Sequence, residues 1–368
     1  MKATLEFIKK NTVFVIAVIA AAVTMFIVPP DKEYLGYFDF KVLSCLFAVL
    51  AVVCALRSMR FFYSTAQKIV RKFDTARKCA IALVYITFIG SMFIANDMAL
   101  ITFLPLGYYV LKTTNMQKYM AVLFILQNIA ANLGGMLTPF GNPQNLYLYT
   151  KFHIPTGEFI HIMLLPFVLS VMIITLCCVI FFKNERLSIT IEENPLDHKR
   201  VALYMVLFAI SVIMVFRVIP YYVGLIIITA VLLVENPKAL KKVDYPLLGT
   251  FAAFFVFSGN MARIESVRVL FAALLEKSTL LFSILSCQVI SNVPSAILLS
   301  QFTDNYRELL LGVNIGGVGT LISSLASLIT FREYTKRNPG KWFKYLLIFS
   351  AFNFVFLIIL TLVMMIVK

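Results

Sequence analysis

The sequence predicts an all-α polytopic membrane protein built from inverted repeats, with two re-entrant helical hairpins and two broken transmembrane helices. Three observations predict this class: an apolar composition, long charge-free runs, and two glycine-rich segments that match each other. Of 368 residues, 61% are hydrophobic and 14% are charged, and the mean hydropathy is +0.90. A soluble domain carries roughly 25% charged residues. The composition therefore excludes a soluble enzyme, a disordered protein and a disulfide-rich secreted domain.

The apolar runs are the predicted membrane elements, because a helix needs about 20 apolar residues to cross a bilayer. They are 12–30, 42–56, 79–111, 119–150, 159–182, 201–216, 218–234, 245–262, 278–303, 309–331 and 345–367. The first run ends in Pro29-Pro30 without small-residue cleavage chemistry, so we expect a retained span. Segments 57–78 and 263–277 mix basic and apolar residues at helical spacing and are expected to lie flat at a membrane surface.

Two of these runs are predicted to form hairpins. Run 79–111 is too long for one crossing and short for two, and Ala95-Asn96-Asp97 lies in its middle. Run 278–303 carries Ser291-Asn292-Val293-Pro294 in its middle. Non-helical backbone is tolerated at membrane depth only when it is buried in protein or lines a cavity. We therefore expect each run to enter and leave the membrane on one side.

The basic residues predict the orientation. The net charge is +15, and the basic residues stand in short clusters between apolar runs. That pattern indicates the positive-inside rule rather than a nucleic-acid partner. With both hairpins re-entrant, 24 of the 33 basic residues fall on one side. We expect a multi-pass protein of the cell membrane with its N-terminus in the cytoplasm and its C-terminus outside.

The two halves of the chain resemble each other. Segment 132–138 matches segment 314–320 without a gap, and Asn145 stands opposite Ser327. The predicted units are a first inverted repeat, 1–182, with hairpin 79–111 and broken helix 119–150; a cytoplasmic linker, 183–200; and a second inverted repeat, 201–368, with hairpin 278–303 and broken helix 309–331. Inverted repeats are typical of secondary transporters, whose site lies at the midplane between the broken elements.

The broken spans carry the most informative chemistry. Segment 132–145 reads NLGGMLTPFGNPQN, and its three glycines and two prolines do not suit a lipid-facing helix. In an unwound loop, freed carbonyls and Asn or Thr oxygens would coordinate a small cation. Half-helix N-termini would direct amide donors at an anion. The alternative is close helix crossing through small residues, with single asparagines as interhelical glue.

The candidate site combines these loops with the two hairpin tips. The predicted substrate-binding residues are Asn96, Thr138, Asn142, Asn145, Asn292, Ser295, Thr320, Ser323 and Ser324. The predicted cation-coupling residues, at which Na⁺ would be the metal, are Asn96, Asp97, Asn132, Gly134, Gly135, Gly141, Ser291, Asn292, Asn314, Gly316, Gly317 and Gly319.

Asp97 is the acidic residue deepest in an apolar run. An intramembrane carboxylate is costly and is a functional candidate by default. It could bind Na⁺, carry a proton or repel the wrong substrate, and the alternative is that it caps the second helix of its hairpin. Arg217, at a run boundary, is the basic residue closest to a span interior. We therefore expect an anion to be held by amides, hydroxyls and helix dipoles, or to be bound together with a cation.

These segments resemble the ion transporter superfamily, which includes divalent anion/sodium symporters, citrate permeases, arsenite permeases and one class of sodium/proton antiporter. The resemblance rests on NLGGMLTPFGNPQN, on GVNIGGVGTLISSLAS at 312–327 and on the AND and SNVP tips. It covers the chain from about Phe38 onward. The dicarboxylate branch carries Ser-Asn-Thr at both tips, so these tips are closer to the arsenite and citrate permeases.

The resemblance implies a homodimer and elevator-type movement of a transport domain against a scaffold, expected near 12–56 and 201–262. We expect a secondary transporter that moves a small anion, a carboxylate or an inorganic oxyanion, with Na⁺ or H⁺ as coupling ion and no other cofactor. The alternatives are a sodium/proton antiporter using Asp97, an arsenite efflux permease, a channel and a membrane-embedded enzyme. An enzyme is not expected, because no nucleophile–base pair or metal-ligand cluster is visible.

Overall fold

The computed structural model describes residues 7, 11–186 and 196–367. Residues 187–195, which are half of the predicted linker 183–200, and the basic residues Lys2, Lys9, Lys10 and Lys368 lie outside the described residues. Within them, the regular elements are helices, with one isolated β-bridge between Thr75 and Arg186. Seven helices are long and apolar enough to cross a membrane. The prediction of an all-α polytopic membrane protein is confirmed.

The helices follow the apolar runs. Those of the first half are α1 Thr12–Ile27, α2 Tyr34–Tyr37, α3 Phe40–Ser58, α4 Phe61–Val70, α5 Ala76–Ile94, α6 Asn96–Thr113, α7 Met120–Gly134, α8 Pro143–Lys151 and α9 Thr156–Phe181, with 3-10 turns at Gln117–Tyr119 and Gly135–Leu137. Those of the second half are α10 His198–Val215, α11 Tyr221–Glu235, α12 Pro237–Lys241, α13 Tyr245–Arg263, α14 Glu265–Lys277, α15 Thr279–Ile290, α16 Asn292–Leu299, α17 Tyr306–Ile315, α18 Leu325–Arg337 and α19 Trp342–Val367.

Aspartate caps start the two helices that precede the amphipathic segments. The Oδ1 atom of Asp39 accepts a hydrogen bond from the backbone N–H of Val42 at 2.9 Å. The Oδ1 atom of Asp244 accepts one from the backbone N–H of Leu247 at 3.0 Å. Each carboxylate satisfies an N–H group that has no partner within its helix. The starts of α3 and α13 are thereby fixed by the same local chemistry.

The helices pack into two groups. In the first group α1 lies along α13, and α3 packs against α10 and α11. In the second group α5, α6 and α7 pack on one another, α15 packs on α17, and α9 packs on α19. The groups meet where α3 contacts α8 and where α13 contacts α16. The second group holds both predicted hairpins and both interrupted helices.

Each predicted hairpin contains one abrupt break. The chain leaves α5 at Ala95 with φ 58° and ψ 149°, and it leaves α15 at Ser291 with φ 76° and ψ 160°. A residue with a side chain rarely adopts a positive φ, and such backbone concentrates at functional sites. The two helices on either side of each break pack against each other.

The bases of the two hairpins lie at opposite ends of α9. Just beyond one end, the backbone carbonyl of Glu185 accepts a hydrogen bond from the backbone N–H of Ala76 at 2.8 Å, and the carboxylate of Glu185 pairs with Lys118 at 2.9 Å. At the other end, Glu158 pairs with Arg307 at 2.7 Å. Helix α9 has 26 residues, so its ends are about 39 Å apart at 1.5 Å per residue. The two hairpin bases are therefore separated by about the length of α9.

Candidate functional site

The two hairpin tips share one local structure. The Oδ1 atom of Asn96 accepts a hydrogen bond from the backbone N–H of Asp97 at 2.9 Å. The Oδ1 atom of Asn292 accepts one from the backbone N–H of Val293, also at 2.9 Å. Both asparagines are 3% exposed. The tips therefore begin α6 and α16 in the same way.

The two interrupted helices are tied to their hairpins by matching bonds. The Oγ1 atom of Thr138 donates to the carbonyl of Met92 at 2.8 Å, and the Oγ1 atom of Thr320 donates to the carbonyl of Gln288 at 3.0 Å. Met92 and Gln288 each stand four residues before the tip asparagine of their hairpin. Both threonine hydroxyls are thus used to hold hairpin backbone.

Several of the predicted glycines allow close packing. A Cβ atom on Gly134 would lie 2.2 Å from the carbonyl oxygen of Phe88, and one on Gly316 would lie 2.8 Å from the Cβ of Cys287. A Cβ on Gly135 would lie 2.4 Å from the Oδ1 atom of Asn142. No side chain fits these positions without displacing backbone or a buried amide.

An asparagine network joins the first tip to both interruptions. The Nδ2 group of Asn96 donates to the Oδ1 atom of Asn132 at 3.1 Å. The Nδ2 group of Asn314 donates to the Oδ1 atom of Asn145 at 2.6 Å. Asn145 in turn donates to the carbonyl of Gly135 at 3.2 Å. Buried amides that satisfy one another fix the two loops relative to each other.

A cavity of about 130 Å³ lies between the two tips. Its lining includes five of the predicted site residues: Asn96, Asp97, Ser291, Asn292 and Ser324. The other predicted residues do not line the cavity and belong to the two interrupted segments or, in the case of Ser295, to α16: Thr138, Asn142, Asn145, Ser295, Thr320, Ser323, Asn132, Asn314, Gly134, Gly135, Gly141, Gly316, Gly317 and Gly319. The hydroxyl of Ser295 is buried against the hydroxyl of Ser286 at 2.9 Å.

The N-termini of six helices converge on this cavity. They belong to α1, α6, α8, α13, α16 and α18, and they contribute Thr12, Asn96, Pro143, Pro246, Asn292 and Leu325 to the lining. The N-terminus of a helix carries a partial positive charge of roughly +0.5 and backbone N–H groups without partners in the helix. Such a convergence favours an anion.

Three charged side chains also line the cavity: Asp97, Asp244 and Arg332. We expected amides, hydroxyls, helix dipoles or a co-bound cation to hold the anion, and Arg332 adds a basic side chain to that set. The apolar run ends at Phe331, whereas α18 continues to Arg337 and carries Arg332 along the cavity. A basic side chain in this position could have been found by extending the predicted helix beyond the last residue of its apolar run.

Asp97 does not cap its helix. The N-terminus of α6 has no side-chain cap, and the Oδ1 atom of Asp97 is buried without a hydrogen-bond partner among the described residues. The backbone N–H of Asp97 is instead satisfied by Asn96. The Oδ1 atom therefore makes no capping hydrogen bond among the described residues, and Asp97 lines the cavity from the first turn of α6.

Three neutral acceptors near the cavity also lack donors in the described part of the chain: Asn142 Oδ1, Gln144 Oε1 and Asn314 Oδ1. The orientations of Asn142 and Asn314 follow from their Nδ2 groups, which donate to the carbonyls of Asn132 and Leu310. A buried acceptor left unsatisfied costs about 1–3 kcal/mol. Oxygen atoms in this condition suit a cation or an incoming hydrogen-bond donor.

Gln144 and Gln288 are site residues that the sequence analysis missed. Gln144 lies in the first turn of α8 and lines the cavity. Gln288 supports the second interruption, because its amide donates to the carbonyls of Gly316 and Val318 and accepts from the backbone of Thr320. Gln144 stands inside segment 132–145, and Gln288 stands three residues before the tip segment that begins at Ser291, so their positions were the available signal.

The chain is similar to a known protein family and to individual proteins of two organisms. A family model described as Citrate transporter matches residues 5–306. The chain is 33% identical over 296 residues to Uncharacterized transporter MJ0456 of Methanocaldococcus jannaschii, covering 80% of this chain and 81% of that protein. It is 27% identical over 321 residues to Inner membrane protein YbiR of Escherichia coli, covering 85% of each chain.

Proposed function

The chain belongs to the citrate transporter family, and on that premise we propose that it moves a small anion across the cell membrane together with Na⁺ or H⁺. The anion would be a carboxylate, such as citrate or a dicarboxylate, or an inorganic oxyanion. The observation that carries this proposal is the convergence of six helix N-termini on one cavity.

Arg332 is the residue that we assign to the charge of the substrate. It lines the same cavity as the two tips, on the second half of the interrupted helix α17–α18. A guanidinium group recognises carboxylates and oxyanions through two parallel hydrogen bonds. Asn96 and Asn292 line the same cavity and would complete the recognition of the anion.

Asp97 and the unpaired oxygens of the loops are the features that we assign to the cation. Asn142 Oδ1 has no donor among the described residues and, with the carbonyl of Gly141, faces the space that glycine leaves at position 135. Na⁺ is a hard cation that takes oxygen ligands, so this donor set fits it. Asp97 would carry a proton or complete the charge balance of a bound Na⁺.

The arrangement of the hairpins favours inverted repeats. The hairpin bases lie at opposite ends of α9, and the tips meet at one cavity. We propose that hairpin 79–111 opens to the cytoplasm and hairpin 278–303 to the outside. Labelling of a cysteine at position 112 only from inside, and of one at position 307 only from outside, would support this topology, and the reverse pattern would overturn it.

The position of the cavity favours an inward-facing state. It extends from the tips to Asn11, Asp244 and Arg332, which the charge distribution places toward the cytoplasm. An elevator mechanism would then move the group of helices α5–α9 and α15–α19 past the group α1, α3, α10, α11 and α13. The group α1, α3, α10, α11 and α13, which is the first of the two packing groups, would be the scaffold and would hold a homodimer.

A solute-counterflow screen in proteoliposomes tests the substrate class. Vesicles loaded with citrate, succinate, sulfate or arsenite would be exchanged against the labelled form outside, with and without Na⁺ and at two pH values. Exchange of one anion class that requires Na⁺ or depends on pH is expected. Exchange of none of these solutes would overturn the anion assignment.

A sodium/proton antiporter is the second candidate, favoured by the unpaired Oδ1 atom of Asp97. It predicts Na⁺ flux driven by a pH gradient in vesicles that contain no transportable anion. The anion transporter predicts no such flux until the anion is added.

A further inference from the structure

The amphipathic helix α4 lies between two cavities of opposite character. One, of about 360 Å³, is lined by Arg57, Arg60, Phe62, Tyr63, Ile101, Thr102 and Pro105. The other, of about 300 Å³, is lined almost entirely by apolar side chains from α4, α5, α6 and α10. Phe62 lines both, so the cationic and the apolar cavities adjoin at the start of one helix.

The positive charges of the two arginines in the first cavity are not neutralised by an ion pair among the described residues. Arg57 contacts the sulfur of Met98 at 3.5 Å, which is a weak acceptor. Among the ion pairs of the described residues, neither Arg57 nor Arg60 has an acidic partner. Two guanidinium groups with the hydroxyl of Tyr63 make a donor set for a phosphate group, whereas the hydroxyl of Thr102 donates to the carbonyl of Met98 at 2.7 Å.

The second cavity is open toward the surface that the membrane would cover. Ile89 is 53% exposed and Phe93 is 42% exposed, and both line it. Helix α10 closes its far side with Met205 and Phe208. An apolar recess at membrane depth is filled by hydrocarbon, and a lipid chain is the hydrocarbon that the bilayer supplies.

We propose that one anionic phospholipid binds at α4, with its phosphate group at Arg57 and Arg60 and one acyl chain in the apolar cavity beyond Phe62. Charge complementarity and the contiguity of the two cavities select a lipid over a soluble anion or a neutral detergent. The bound lipid would bridge α3 and α10 on one side to α5 and α6 on the other.

The full-length protein, purified in detergent, tests this proposal by native mass spectrometry and thermal unfolding. Phosphatidylglycerol is expected to remain bound and to raise the Tm, whereas phosphatidylcholine is not. The double variant Arg57→Gln/Arg60→Gln should retain phosphatidylglycerol at least about tenfold less well. Lys68→Gln/Lys72→Gln is the matched control, since it removes the same charge from the same segment outside both cavities.

A second pair of variants keeps the test valid if the arginine variant does not fold. Ile89→Trp should obstruct the apolar cavity and displace the lipid with both arginines intact. Leu285→Trp is its control, because Leu285 stands at the same distance before Asn292 as Ile89 does before Asn96, is 62% exposed and lines neither cavity. Equal lipid retention by the two variants would overturn the proposal.

Glycerol phosphate is the control ligand that distinguishes binding of a lipid from binding of a free anion. It offers the phosphate without the chain, so it should leave the Tm unchanged at concentrations at which phosphatidylglycerol raises it. If glycerol phosphate stabilises the protein as much as the lipid does, the cavity binds a small anion and the lipid proposal is wrong. Both readouts are independent of transport, so failure of the proposed function leaves this result standing.

Discussion

Asn96 and Asn292 occupy the same place at two hairpin tips, yet Asp97 follows the first and Val293 follows the second. The backbone is repeated closely: both breaks have a positive φ, and both asparagines bind the next N–H at 2.9 Å. The side-chain chemistry is not repeated. The comparison teaches that the two halves share one way of bending the chain and contribute different charges to the cavity.

The amide networks differ in the same sense. In the first half, Asn132 accepts a hydrogen bond from Asn96. Asn314, which matches Asn132 in the second half, instead donates across to Asn145, and its own Oδ1 atom has no partner among the described residues. The second half also contributes Arg332. We infer that Asp97 at the first tip serves the cation and that Arg332 on the second interrupted helix serves the anion.

The largest expected effect comes from removing either tip amide. Asn96→Ala and Asn292→Ala should each lower the initial rate of uptake into proteoliposomes by at least about 100-fold, because each removes a buried partner from a charge-assisted contact. Asn353→Ala is the control: it removes a buried amide from α19, where the side chain binds only its own helix. Wild-type uptake by either tip variant would remove that residue from the site.

Replacing the carboxylate of the first tip tests the asymmetry. Asp97→Asn should keep substrate binding and lose the dependence of transport on Na⁺ or pH. A carboxylate at that depth costs about 2.5–3.5 kcal/mol on insertion scales and needs a partner. Binding isotherms and ion-dependent uptake measure the two properties separately. Unchanged ion dependence would move the coupling site to the glycine-rich loops.

Arg332→Gln tests the anion side of the cavity. We expect the KM for the transported anion to rise about tenfold, which corresponds to the loss of one charge-assisted contact. Lys336→Gln removes a charge one turn further along α18, outside the cavity lining, and should leave the KM unchanged. Equal KM values for both variants would remove Arg332 from substrate recognition.

The matching threonine bonds test the shared backbone. Thr138→Val and Thr320→Val each remove one hydrogen bond to hairpin backbone, so each should lower the free energy of unfolding by about 1 kcal/mol. Denaturant unfolding of the detergent-solubilised protein measures both. A difference between them of several kcal/mol would show that the two interruptions are held differently.

The smallest effect concerns the ion pair beside α13. The Arg263 guanidinium holds the pKa of the Asp31 carboxyl below its ordinary value. The pair therefore contributes stability above the ordinary pKa of Asp and loses it as pH falls through the lowered pKa. Asp31→Asn should lower the Tm slightly at pH 7, and the difference should vanish in strong acid. Because the pair is exposed, the shift is small.

The sequence predicted the elements better than the boundaries of the site. The tips at Asn96 and Asn292 and the interruptions after Gly134 and Ile315 follow from local chemistry, since polar and glycine-rich breaks stand out in apolar runs. Arg332 could not be assigned in this way, because hydropathy ends a run at the first charge even when the helix continues. The cavity lining also depends on long-range packing between α13 and α16, which no local pattern encodes.

Accumulation of the anion against its own gradient tests the central claim most directly. Proteoliposomes that contain the protein would receive an imposed Na⁺ or H⁺ gradient and the labelled anion identified by counterflow. We predict that the internal concentration rises above the external one, and that this excess disappears when the ion gradient is collapsed and in the Asp97→Asn variant. Equilibration to equal concentrations, independent of both gradients, would contradict the account.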